Sequence, residues 1–299
     1  MRPKNLHTNS KTMSTQQIIQ RTIQDKWQMT LQKNTSIHQA GLVLPPGNWE
    51  TFDPFLVMAE DNMKKGAFDY HPHRGIETVT YMIDGVLNHS DNQGNRGQLK
   101  QGDTQWMTAG RGLLHLEEAP ENGYAHLLQL WVNLPAVHKM TTPRYQDILH
   151  ATLPVRIEHG AEIRVISGSS GGIRSVTANY TPVIMVEITL HAGHSVKQDL
   201  AADLNGFIYI LSGSGAFGAN KLTGKKNDVL WLSTSVDHPS EIEIGADEAL
   251  KLILVAGKPL REPVAARGPF VMNTEEQLNE AFKDYLDGKF GSWTDENQR

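Results

Sequence analysis

Two histidines one residue apart, His71 and His73, open the stretch HPHRGIETVTYMIDG, which otherwise reads as an ordinary buried strand. Side chains two apart on a strand point to one face, so both imidazoles project together into whatever that face encloses. That arrangement suits a metal ion. Alone the pair says little, because the 13 His among 299 residues produce roughly 0.6 such pairs in a shuffled chain. A second pair, His115 and Glu117, stands in QGDTQWMTAGRGLLHLEEAP, again two apart and separated from the first by a strand, a turn and another strand. If both segments are extended and the sheet curls closed, three imidazoles and one carboxylate converge. Such a set suits Fe(II), Mn, Ni, Cu or Zn.

The elements that must position these groups are strands. Runs rich in Val, Ile, Thr and Tyr (VTYMIDG, HLLQLWVNL, VIMVEITL, GFIYILSG, ALKLILVAG) recur between Gly, Asp and Asn clusters, which is the pattern of a β-sandwich or barrel. They also repeat at long range. TVTYMIDGVL resembles GFIYILSGSG and QGDTQWMTAG resembles KNDVLWLSTS, with offsets of 128 residues between Gly85 and Gly213 and 125 between Trp106 and Trp231. Two similar β-domains in tandem follow. The expected division is a disordered tail over 1–20, a metal-binding domain over 21–140, a second domain over 141–291 and a tail over 292–299. The seam lies near NLPAVHKMTTPRYQDI. One helix is expected at the far end. Thr274 and Gln277 form a capping-box pair, Leu278, Ala281, Phe282, Tyr285 and Leu286 follow helical spacing, and Gly288 sits where a C-cap belongs. Its apolar stripe is expected to cover a barrel wall or the other domain.

Composition narrows the function classes. A net charge of -5 with scattered basic residues argues against nucleic-acid binding as the main activity. Cysteine is absent, which excludes disulfides, thiolate metal sites and Cys nucleophiles and leaves nitrogen and oxygen as metal donors. No apolar run reaches membrane-spanning length and no apolar secretory core is present, so a cytoplasmic location and no membrane partner are expected. Met13 is a second candidate start, and a monomer is the default expectation.

In HPHRGIETVTYMIDG, GDTQWMTAGRGLLHLEE, LQLWVNLP with KMTTPRYQDI, VISG and GPFVMNTEEQLNEAFKDYLDGKFG, the chain resembles the pirin family of the cupin superfamily, from about residue 20 to residue 291. The resemblance implies an all-β bicupin: two antiparallel jelly-roll barrels in tandem with a short C-terminal helix, the metal in the N-terminal barrel alone. It carries the ligands to His71, His73, His115 and Glu117, with iron, as Fe(II), the metal most often implied. Where the family motif reads His-Ser-Glu, this chain has Leu116, expected to point away from the ion. Glu77 has the spacing at which other cupins place their carboxylate ligand, whereas the resemblance assigns that role to Glu117.

The resemblance further implies quercetin 2,3-dioxygenase activity: a flavonol loses its hydroxyl proton to Glu117 as catalytic base, and dioxygen opens its ring. Met82, Trp106 and Met107 are candidate cavity walls. The alternative is an iron-dependent redox-sensing regulator that binds a transcription factor or a metabolic enzyme, and a third reading makes the ion a structural staple. In the second repeat, the offsets place Asp199 and Ala201 opposite the first pair, and His238 and Ser240 opposite the second, so that half is expected to hold no metal. His191, His194 and His238 are expected to be surface or hydrogen-bonded histidines, and His89, His126 and His138, with no partner at ligand spacing, solvated or structural ones.

Overall fold

A computed structural model describes residues 17–293. The protein is an all-β bicupin whose strands fall into two similar halves, with two helices, Trp49–Phe52 and Glu275–Leu286. The sheets do not close into continuous hydrogen-bonded barrels. In the first half, one long strand, Ile76–Asp91, does the work of two. Up to Gly85 it lies between Thr104–Thr108 and Ala125–Asn133; beyond Gly85 it pairs with Arg96–Lys100 and Leu113–Glu118. Gly85 makes the corner with a φ of +80°, and a Cβ there would stand 2.2 Å from the Tyr124 carbonyl oxygen. No other residue type fits that corner without moving the backbone. Gly213 repeats the device in the second half, also at φ +80°.

The two halves share one strand order. In the first it runs Arg144–Ile148, Thr104–Thr108, Ile76–Asp91, Ala125–Asn133, Phe55–Met63, His38–Leu44. The second repeats it as Ile23–Gln28, Asp228–Leu232, Asn205–Ser212, Leu250–Gly257, Val183–Leu190, Ala161–Ser167. These sheets pack face to face through Val79, Tyr81 and Trp106 on one side and Phe207, Tyr209 and Trp231 on the other. The long strand is therefore buried on both faces before its corner. Val79 and Tyr81 look to the other half while Thr80 looks inward, which is why ETVTYM lacks the apolar-polar alternation of a half-exposed strand.

Across this interface the repeat generates a reciprocal pair of buried hydrogen bonds. Tyr81 Oη donates to Glu187, and Tyr209 Oη donates to Glu60. Each carboxylate also meets a cation or imidazole at equivalent places: Glu60 lies 2.8 Å from His126 Nε2, and Glu187 lies 3.3 Å from Lys251 Nζ. A hydrogen bond to a charged acceptor contributes about 1.5–3 kcal/mol. Tyr81→Phe and Tyr209→Phe should each destabilise by about that amount, read from the denaturant midpoint at constant slope; a loss below roughly 0.5 kcal/mol would show that the carboxylates are satisfied without the phenols.

The chain ends cross between halves, so particular strands join a half other than the one chain order suggests. Residues 1–16 and 294–299, the bulk of both expected tails, lie outside the described residues. Ile19–Gln20 is not tail: it pairs in parallel with Ser240 and Glu241. Ile23–Gln28 forms the edge of the second half although it precedes the first. Arg144–Ile148, expected in the second domain, completes the first. The C-terminal helix likewise covers the first half, where Leu278 and Ala281 pack with Leu114, Phe270 and Phe290. Its start follows the sequence: Thr274 accepts from the Gln277 backbone N–H, and the Gln277 side chain accepts from Asn273 N–H at 3.0 Å. Leu286 departs from the expected stripe and is 82 % exposed. Trp293 stacks on Tyr70 with ring centroids 5.1 Å apart. Among the described residues no helix is long and apolar enough to cross a membrane.

Candidate metal centre

Strand register brings the histidines together. His71–His73 runs antiparallel to Leu113–Glu118, with His115 directly opposite His71 and Leu113 opposite His73. The three rings stand 4.4 to 5.0 Å apart by centroid. His71 Nε2 and His115 Nε2 face each other at 3.0 Å, about the separation of two nitrogens bound at a right angle roughly 2.1 Å from one ion. His73 Nε2 is buried with no hydrogen-bond partner. The opposite nitrogens are held: His71 Nδ1 lies 2.9 Å from the Asp69 carbonyl and His73 Nδ1 3.3 Å from that of Pro269. Those carbonyls fix the protonated nitrogen and leave Nε2 as the donor atom. Burial first, and then electrostatic interaction with the neighbouring His71 ring, pull His73 down to about 3. The same causes hold His115 well below its ordinary value. His73 and His115 are therefore held neutral, as metal ligands must be. An orphaned buried nitrogen, a facing nitrogen pair and two buried imidazoles held neutral fit a divalent cation.

Glu117 lies one pleat farther along. Its Oε1 accepts from Thr80 at 2.9 Å and its Oε2 from Gln129 at 2.6 Å, while Trp131 Nε1 donates to Gln129 Oε1 at 3.3 Å and so orients that amide. Burial raises the Glu117 pKa, with His71, Thr80 and Gln129 opposing. The four expected ligands do not form one tight group. His71, His73 and His115 make one set; His115 and Glu117 make another with His89, all donor atoms of each set within 4.8 Å.

His89 is the residue that sequence reasoning missed. It lies opposite Glu117 in the register, is 3 % exposed, and neither ring nitrogen has a hydrogen-bond partner. Burial and then His71 lower its pKa to about 3. A signal existed: beyond the corner, Leu87, His89 and Asp91 continue the buried period of two. Glu77 falls on the opposite face of the same strand, accepting from Thr108 Oγ1 at 2.7 Å with Arg144 3.8 Å away. Leu116 points outward to a groove beside Trp293. Met82, Trp106 and Met107 are fully buried packing residues and line no cavity at the imidazoles.

In the second half, the registers equivalent to those of the centre place Gln198 opposite Ile242 and Ile244 opposite Phe217. The positions matching His71, His73, His115, Glu117 and His89 are thus Gln198, Leu200, Ile242, Ile244 and Phe217. This corrects the expected correspondence with Asp199, Ala201, His238 and Ser240: the first two miss by one residue and so fall on the exposed face, and the last two lie four residues short. Apart from Gln198, apolar side chains fill the matching positions.

Beside the imidazoles of the first half opens a cavity of about 540 Å³, walled by Trp49, Leu56, Phe68, Trp131 and Val271 and bearing His38, Asp61, Gln129 and Arg267. Trp131 meets the His73 ring edge-on at 5.0 Å. A small inner cavity shares Asp61, Phe68 and Gln129 with it and reaches His71 and Glu117.

Comparison with known proteins places these features among relatives. Residues 37–132 match the Pirin family model and residues 185–291 the Pirin C-terminal cupin domain. Pirin of Homo sapiens is 38% identical over 248 residues, covering 81% of this chain and 84% of that protein. A solved structure from Geobacillus kaustophilus is 49% identical with a TM-score of 0.82, over 83% of this chain and 100% of that one. A structure of quercetin 2,3-dioxygenase from Acinetobacter baumannii is 30% identical with a TM-score of 0.79, over 91% and 99%.

Proposed function

The chain belongs to the pirin family, and from that premise we propose that it is a metal-dependent dioxygenase cleaving a hydroxylated planar aromatic of the flavonol type with O2. His71, His73, His115 and Glu117 would hold one divalent ion, Fe(II) before Mn, Ni, Cu or Zn. The observation that carries the reading is the aromatic-walled cavity beside the imidazoles, whose volume lies in the range of pockets that enclose small organic ligands. The ion, when bound, supplies Lewis acidity that lowers the pKa of a substrate hydroxyl and a centre for redox chemistry. The protein's part is positioning. Trp49, Phe68 and Trp131 offer faces for a flat ring system, Leu56 and Val271 exclude water, and the Trp131–Gln129–Glu117 chain keeps the carboxylate in one orientation.

The test is metal analysis of the purified protein, anaerobic reconstitution with Fe(II), and oxygen uptake with quercetin. About one ion per chain with metal-dependent uptake is the expected result. Bound metal without uptake would reject the oxygenase reading in favour of a metal-dependent regulatory protein with a protein partner.

A further inference from the structure

The Glu117 carboxylate has both oxygens engaged, by Thr80 and Gln129. A different carboxylate faces the cavity. Asp61, on Phe55–Met63, lines both the large cavity and the inner one that reaches His71 and Glu117. Its Oδ1 meets His38 Nε2 at 2.7 Å. Its Oδ2 has no hydrogen-bond partner among the described residues and is not among the sealed, unpartnered atoms. His38 lines the same cavity, its ring held edge-on to Phe68 at 4.9 Å. The site thus presents one uncommitted carboxylate oxygen, backed by an imidazole, on the wall that separates the histidine cluster from the cavity.

We propose that Asp61, positioned by His38, is the group that takes the acidic hydroxyl proton of a phenolic ligand bound in this cavity. In the step, the ligand O–H bond breaks, its electron pair stays on oxygen, and the proton forms a new bond to Asp61 Oδ2. No oxidant or other co-reactant is required. His38 Nε2–H keeps its hydrogen bond to Oδ1, which orients the carboxylate and balances part of its charge. The groups facing Asp61 from neighbouring elements are His38, His126, Glu60 and Glu117. Glu60 is turned to Tyr209 and His126 on the other face of its strand, so His38 is the partner directed at this carboxylate. The second half has Ile188 at the equivalent place, opposite Ile163, within the apolar core of that half.

This inference rests on the cavity as the ligand site, and its test reads binding rather than turnover. Metal-loaded protein, kept anaerobic and weakly buffered with an indicator dye, is titrated with quercetin at a pH below that of flavonol ionisation. The wild type is expected to bind it as the anion, seen by its red-shifted absorption, without releasing the proton to the medium. Asp61→Asn should bind at least about tenfold more weakly, with the ligand neutral or with one proton appearing in solution, consistent with the 10²–10⁴-fold that a placed general base contributes to a reaction. His38→Gln should show the same signature to a smaller degree and replaces Asp61→Asn if that variant does not fold. Metal content is measured on each to show that the centre is intact. An Asn variant that matches the wild type in affinity, colour and proton release would overturn the proposal, as would a wild type that binds no flavonol. Binding as the anion with no oxygen uptake would leave Asp61 standing and reject the dioxygenase reading.

Discussion

Replacing His115 by alanine is expected to abolish metal retention, with metal per chain falling to background after dialysis and oxygen uptake falling with it. His115 is the one residue common to both donor groups, so its loss leaves neither with three members. The loss should exceed the roughly 10–100-fold in affinity that removing a hydrogen-bonded partner of a ligand costs. Glu77→Gln is the matched control. Glu77 has the spacing of a cupin ligand, yet strand alternation turns it away from the cluster, toward Thr108 and Arg144. The Gln variant should retain the full complement of metal. Loss of metal from Glu77→Gln with retention in His115→Ala would mean that the centre is built on the other face of the strand.

Lys139→Met is expected to destabilise the protein by about 3 kcal/mol or more, since each buried acceptor stripped of its donor costs roughly 1–3 kcal/mol. Lys139 is 2 % exposed, and its ammonium donates to the Gly75 carbonyl at 2.8 Å, the Val271 carbonyl at 2.9 Å and Asn133 Oδ1 at 2.5 Å. Those acceptors belong to three parts of the chain: the turn after the histidine pair, the C-terminal segment, and the end of Ala125–Asn133. Gly75 is there because the approach is close; a Cβ would stand 1.9 Å from the Val271 oxygen. Arg74 ties the same turn to the C-terminal helix by pairing with Asp284 at 2.9 Å and lying over Phe290. Methionine keeps the volume and the stem, so the deficit reports the three hydrogen bonds. In a chain of this size the melting temperature should fall by roughly 5–10 °C. Metal affinity should fall as well, because the segment released carries the Pro269 carbonyl that orients His73. An unchanged melting temperature would show that the three acceptors find other donors.

Much of this was legible in the sequence because it depends on chain neighbours. A period of two places His71 with His73 and His115 with Glu117. A repeated glycine after an apolar run marks the corner at Gly85 and again at Gly213. Thr274 and Gln277 start a helix whatever that helix covers. The long-period repeat showed two like halves, and the structure adds that their strand orders coincide. The expected ligands could be named as candidates, but the sequence did not say that Glu117 would have both oxygens engaged, that His89 would stand opposite it, or that Asp61 would reach the same interior from a strand near the N-terminus.

Those matters are decided by register between strands far apart in the chain, and a slip of one residue exchanges the faces of a strand. That is why the second-half equivalents of the first histidine pair expected from sequence offsets fell on Asp199 and Ala201 when the pairing selects Gln198 and Leu200. Which half an edge strand joins is decided for a related reason. Ile23–Gln28 and Arg144–Ile148 fill the same edge in the two halves, one from the N-terminus and one from the linker, and the C-terminal helix closes the first half. Edge strands and covering helices go wherever an unpaired edge or an apolar face remains, and what remains is known only once the sheets have formed.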